Sequence, residues 1–168
     1  MRIRSFFVAA ACGLLLLLTA APARADITGF LGVNATPTNR PVKGLAIGVG
    51  LLIVGFEFEY GQNGEDLSDT TQPAPGLRTF MFNGLVQTPF AISGIQPYAT
   101  AGGGIYRESL STEPNATETN LGLNIGGGAK VSLAGPLRLR LDYRVLTLKG
   151  SARHATVQRF YAGINLKF

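Results

Sequence analysis

The sequence predicts an all-β protein: eight antiparallel strands in up-and-down order, closed into a barrel. Three observations predict it. In segment after segment apolar residues alternate with polar, small or charged ones, the period of an extended chain whose side chains point to opposite faces. Hydrophobic residues make up 46% of the chain, yet beyond the first 25 residues they are dispersed, and the longest apolar run there is "LLIVGF" at 51–56. Finally, short links and longer turn-rich stretches alternate along the chain, as a meander with two unlike ends requires.

The elements follow in order. Residues 1–25 are set aside as a secretion signal: Arg2 and Arg4 give a positive start, an apolar run containing "LLLLL" follows, and "ARA" at 23–25 is an A-x-A cleavage site. The domain is then expected over 26–168, beginning at Asp26. A first strand is expected at about 27–35, ahead of the proline-bearing stretch 36–42. Over 43–50, Leu45, Ile47 and Val49 oppose glycines and Ala46; over 52–62, Val54, Phe56, Phe58 and Tyr60 oppose Gly55, Glu57 and Glu59. The stretch 63–76 is the longest connector, with Pro73 and Pro75. The strand at 77–88 has apolar residues on both faces. That at 95–109 carries a glycine triplet of the kind that shelters a bulge, and its faces are left open.

Three strands complete the set, at 117–132, 136–149 and 155–168. In the first, Leu121, Leu123, Ile125, Ala129 and Val131 oppose Asn120, Gly122, Asn124 and Lys130. In the next, Leu137, Leu139, Leu141, Tyr143 and Val145 oppose Arg138, Arg140, Asp142 and Arg144; in the last, Phe160, Ala162, Ile164, Leu166 and Phe168 oppose Arg159, Tyr161, Gly163, Asn165 and Lys167.

Charge and cysteine content narrow the function. Cleavage after Ala25 removes three of the 15 basic residues and lowers the formal net charge from +5 to +2, so the basic balance carries no argument for nucleic acid. The only cysteine, Cys12, leaves with the signal, so the exported domain has no disulfide.

Two barrels can be built from such strands, one with its apolar face turned inward around a ligand and one with it turned outward to lipid. The polar faces decide. A solvated β-surface carries Thr, Lys and Glu, whereas these faces are rich in glycine and suit the cramped bore that eight strands enclose. Phe30, Met81 and Tyr161 are expected to help fill it. Tyr60, Tyr143 and Phe168 fall near strand ends, where an aromatic girdle would lie, although the chain has no tryptophan to thicken it.

The final segment, "RFYAGINLKF", with Phe160, Ile164, Leu166 and the terminal Phe168, resembles the C-terminal signature of bacterial outer-membrane barrels. With the signal, the loop alternation and glycine-rich strands such as "PYATAGGGIYR" and "LNIGGGAKV", the chain resembles the opacity-type, outer-membrane-protein-A-like superfamily of eight-stranded barrels over its whole exported length. The resemblance implies that those four residues are an assembly signal read by the barrel-assembly machinery, with the termini in the periplasm and four loops outside the cell. Outer-membrane lipids are the expected surroundings, and a monomer is the expected state.

If the polar faces line the bore, the third and seventh strands lie diametrically opposite. Glu57 and Glu59 are then expected to meet Arg138, Arg140 and Arg144 across it, with Asp142 beside them and Arg159 and Lys130 on neighbouring strands. Isolated buried charges cost several kcal/mol each, so an internal ion-pair network that plugs the barrel is expected, and a structural or surface-interaction role with it. The alternative is a narrow porin passing ions or small solutes. A remoter one is a lipid A-modifying hydrolase, as some eight-stranded relatives are, but His154 is the only histidine and stands beside Ser151 in the last loop, without a His-x-Ser arrangement on a strand. The acidic stretch holding Glu65, Asp66 and Asp69 lacks calcium-loop spacing and is expected to be a solvated loop tip, displayed to any surface ligand. No metal or cofactor is expected.

Overall fold

A computed structural model describes residues 24–68, 73–111 and 119–168. The predicted signal lies almost wholly outside them. The strands are β1 (Arg24–Asn34), β2 (Arg40–Leu51), β3 (Val54–Asn63), β4 (Gly76–Gln87), β5 (Ile95–Ser109), β6 (Thr119–Ala134), β7 (Leu137–Leu148) and β8 (Thr156–Lys167). Each pairs antiparallel with its sequence neighbours, and β1 pairs with β8, so the sheet closes into the predicted barrel without an edge. Residues 52–53, 88–94 and 135–136 connect strands at one end, here the turn end, where Arg24 and Phe168 also lie. The connectors that follow β1, β3, β5 and β7, starting at residues 35, 64, 110 and 149, leave the strands at the other, the loop end.

The faces are inverted relative to a water-soluble core. Leu31, Phe58, Leu121 and Ile125 are 66–70% exposed, whereas Arg140 and Arg159 are 0% exposed. Outward aromatics pack on one another across strands, Tyr60 against Phe80 at 4.7 Å and Tyr143 against Phe160 at 4.4 Å.

Two local expectations need correction, and a third is explained. β2 begins at Arg40, inside the stretch read as a loop, because Pro41 is tolerated where the ladder on one side has already ended: β3 stops at Asn63, opposite Val42. The glycine triplet of β5 shelters no bulge; both of its ladders run in unbroken register, and the irregularity falls between Ser132 and Ala134 of β6. These glycines serve close approach instead: a Cβ on Gly104 would lie 1.9 Å from the Phe80 carbonyl oxygen. In β4, Phe80, Phe82 and Val86 point outward and Leu77, Met81 and Leu85 inward, so its two apolar faces are a lipid face and a packed one.

Candidate functional site

The inward faces build the site, because alternation brings every second residue of each strand to the bore. At mid-height, Glu57 of β3 accepts from Arg140 Nη1 and from Arg140 Nη2 at 3.1 Å, and Arg144 Nη2 donates to the same carboxylate at 2.9 Å. Glu59 takes Arg144 Nη1 at 3.0 Å and Arg159 Nη1 at 3.2 Å. Asp142 stands between the two arginines of its own strand, at 3.1 Å from Arg140 Nη2 and 2.9 Å from Arg144 Nε. The opposed walls β3 and β7 are thus joined through their side chains. Tyr98 and Tyr161 complete the layer: Tyr98 donates to Asp142 and accepts from Arg140 Nε at 2.8 Å, while Tyr161 donates to Glu59 at 3.1 Å. The Arg140 guanidinium lies 4.9 Å from the Tyr98 ring centroid, a cation–π contact.

Glycines make this density possible. A Cβ on Gly128 would lie 2.6 Å from the Tyr98 hydroxyl, in the space that phenol occupies beside Asp142.

Toward the turn end a second layer forms around Asp26, which accepts from Lys130 Nζ at 2.7 Å and Arg138 Nη2 at 3.0 Å; Arg138 Nε donates to Asn165 at 2.7 Å. Here the bore opens into a cavity of about 160 Å³ lined by Arg24, Asp26, Glu57, Lys130, Arg138 and Lys167 among others. Toward the loop end the chemistry changes. Leu77, Met81, Tyr106, Leu146, Leu148 and Val157 form a buried apolar cluster, and Phe30 stacks on Tyr161 at 4.1 Å beside Val42.

All eight residues expected in the bore, Glu57, Glu59, Lys130, Arg138, Arg140, Asp142, Arg144 and Arg159, are buried and lie in these two layers. The sequence reading missed Asp26, the acid of the turn-end layer. Its signal was present in "DITGF", where Asp26, Thr28 and Phe30 alternate inward, but the adjacent cleavage motif obscured it. It also missed Arg40, 4% exposed, whose Nη1 donates to the Pro75 carbonyl and so ties the first two loops together.

In the acidic loop Glu65 and Asp66 reach water, and they also make contacts the sequence did not show: the Ser111 amide donates to Glu65 at 2.7 Å, and Thr38 Oγ1 donates to Asp66 at 3.0 Å, so each carboxylate holds a neighbouring loop. The Ser111 amide holds the Glu65 carboxyl below its ordinary range, and the Ser68 amide does the same for Asp66, with Thr38 adding to it. Asp69 lies outside the described residues. Phe160, Ile164, Leu166 and Phe168 point outward, and the backbone of Phe168 pairs with Ala25. His154 and Ser151 lie in the 149–155 loop.

The model of the family described as "Outer membrane protein beta-barrel domain" matches residues 10–168. The chain belongs to that family, which places it in the bacterial outer membrane. No curated protein matches it in sequence. Among solved structures it is similar to the N-terminal β-barrel domain of Pseudomonas aeruginosa OprF, at 15% identity and TM-score 0.65, covering 86% of this chain and 97% of that one. Neisserial surface protein A matches at 15% identity and TM-score 0.59, covering 87% and 96%. The outer membrane enzyme PagL matches at 15% identity and TM-score 0.53, covering 84% and 98%. At such identities the likeness concerns the fold alone.

Proposed function

Starting from membership of the outer-membrane barrel family, we propose that the chain is a closed-lumen barrel that stabilises the envelope or displays its loops to partners, and that it passes no solute. The mid-height layer carries this reading: side chains from β3, β7 and β8 meet at hydrogen-bonding distance across a bore that eight strands make only wide enough for side chains to fill. The apolar cluster above it adds a second stopper of different chemistry. The termini face the periplasm after signal cleavage, the loop end faces outward, and the outward aromatic and aliphatic side chains of β8 with Phe168 are the segment the assembly machinery reads. The barrel is a monomer, and loop 64–75 is its contact surface.

The barrel is not an enzyme in this reading. PagL shares the fold, but here the single histidine sits on a loop and the buried carboxylates of the bore, Asp26, Glu57, Glu59 and Asp142, are committed to ion pairs.

Single-channel recording of the refolded protein in a planar bilayer, wild type beside Glu57→Ala, tests the closure. Wild-type protein inserts without conductance steps. Steady wild-type openings altered by the substitution would replace this reading with the narrow porin, with the turn-end cavity as its vestibule.

A further inference from the structure

The outer wall carries very few charges, and they are not scattered. Among the described strand residues, only Lys43, Arg78 and Arg107 are charged and point outward; all three are cations, and all are exposed. Pairing register sets them in one row: Lys43 opposite Gln62, Gln62 opposite Arg78, Arg78 opposite Arg107. The next row toward the turn end reads Leu45, Tyr60, Phe80, Ile105 and Leu121, all apolar or aromatic. One two-residue step along the strands therefore crosses from hydrocarbon-facing to cationic surface. Around the rest of the wall the outward residues at the loop end of β1, which pairs with β2, and of β7 and β8 include Leu31, Val33, Tyr143, Val145 and Phe160, without a charge.

Two physical costs bear on this row. A basic side chain on the lipid face is costly at the bilayer midplane and nearly free at the interface, so the row belongs at the headgroup boundary. Like charges directly opposite on paired strands repel, and Arg78 faces Arg107 directly. Neither makes an ion pair or hydrogen bond among the described residues, whereas the cations in the bore are matched to carboxylates. An arginine pair without a counterion, at the edge of an apolar belt, fits an anion supplied by the bilayer. Tilted strands shift neighbouring positions by only about 3 Å in height, so both guanidiniums can reach one phosphate and bind it through paired N–H donors.

We propose that Arg78 and Arg107 form a site on the outer wall for a phosphate-bearing lipid headgroup of the leaflet at the loop end, with Lys43 at its flank and the Tyr60–Phe80 row against the acyl chains. The site needs the family's membrane setting but not the closed lumen, so it survives or fails independently of that reading.

The test uses the full exported chain refolded into symmetric phosphatidylcholine vesicles, which present lipid at both ends and remove any dependence on orientation. The vesicles contain either diphosphorylated lipid A or its dephosphorylated counterpart, and lipid retained after mild detergent extraction is measured by native mass spectrometry. Wild type retains the phosphorylated lipid preferentially, and Arg78→Gln/Arg107→Gln loses that preference by about tenfold. Arg78→Lys/Arg107→Lys keeps the charge and retains part of it, and the gel mobility of the unheated protein confirms that each variant is folded. Equal retention of both lipids by wild type, or undiminished preference in the glutamine variant, overturns the proposal. So does inorganic pyrophosphate raising the melting temperature as much as the lipid does, which would make the ligand a free anion.

Discussion

Strand β7 holds two lumens in one face. From Arg138 to Arg144 its inward residues are charged, and two and four residues further on, at Leu146 and Leu148, they are apolar, with no break in pairing to β6 or β8 between them. Each half closes the bore by a different physics. The charged half is directional and intolerant: each guanidinium has taken the place of water around a carboxylate, and removing one leaves the other charge buried without a partner. The apolar half is non-directional, held by packing, and loses only area and contacts when trimmed.

The contrast is sharpened most by Arg144→Ala, which strips a cation shared by Glu57, Glu59 and Asp142. Urea unfolding in vesicles is expected to show a loss of about 3–5 kcal/mol; a loss under about 1 kcal/mol would mean that water replaces the guanidinium at little cost. Leu146→Ala, two residues along the same face, is expected to cost about 2–4 kcal/mol by leaving a cavity. If it costs more than Arg144→Ala, the apolar cluster is the principal stopper and the comparison inverts.

The smallest effect lies beyond both halves, in the loops. Because the Glu65 and Asp66 carboxyls sit below their ordinary range when folded, the loop contacts they make are fully present above that range and weaken as pH falls through their folded values. Following the amide shifts of Ser111 and Ser68 by NMR should show both amides losing their hydrogen-bonded shifts in acid while the strand signals stay fixed. Insensitive amides would mean that these loops hold together without the carboxylates.

What the sequence made legible was parity. A period of two repeated through most strands fixes which residues share a face, and the glycine-rich polar faces, with a final strand that resembles those of outer-membrane barrels, turn that face to the bore. Chemistry near strand ends was not legible. Leu77, Leu146, Leu148 and Val157 point inward, but an apolar residue at the margin of a strand gives no sign of which face it serves. Arg40 was hidden by a proline that reads as a turn signal until the shorter β3 is seen beside it, and Asp26 by its place beside a cleavage motif. The outward cations were in plain sight as letters; their row emerges only from register, which links positions 29 residues apart at Arg78 and Arg107.

The cross-bore contacts have a kinetic consequence. Lys130 and Asp26 are 104 residues apart in the chain, Arg159 and Glu59 100, Arg140 and Glu57 83. Adjacent hairpins can zip one after another, but none of these bonds can exist in a hairpin; they wait until β1 has met β8 and there is a bore to cross. Contacts made after the rate-limiting step leave the speed of folding alone and slow its reversal. In the Arg144→Ala barrel the lost stability should therefore appear as a faster rate of opening with an unchanged rate of insertion, which makes the charges a latch set after closure, holding shut a cylinder they took no part in rolling.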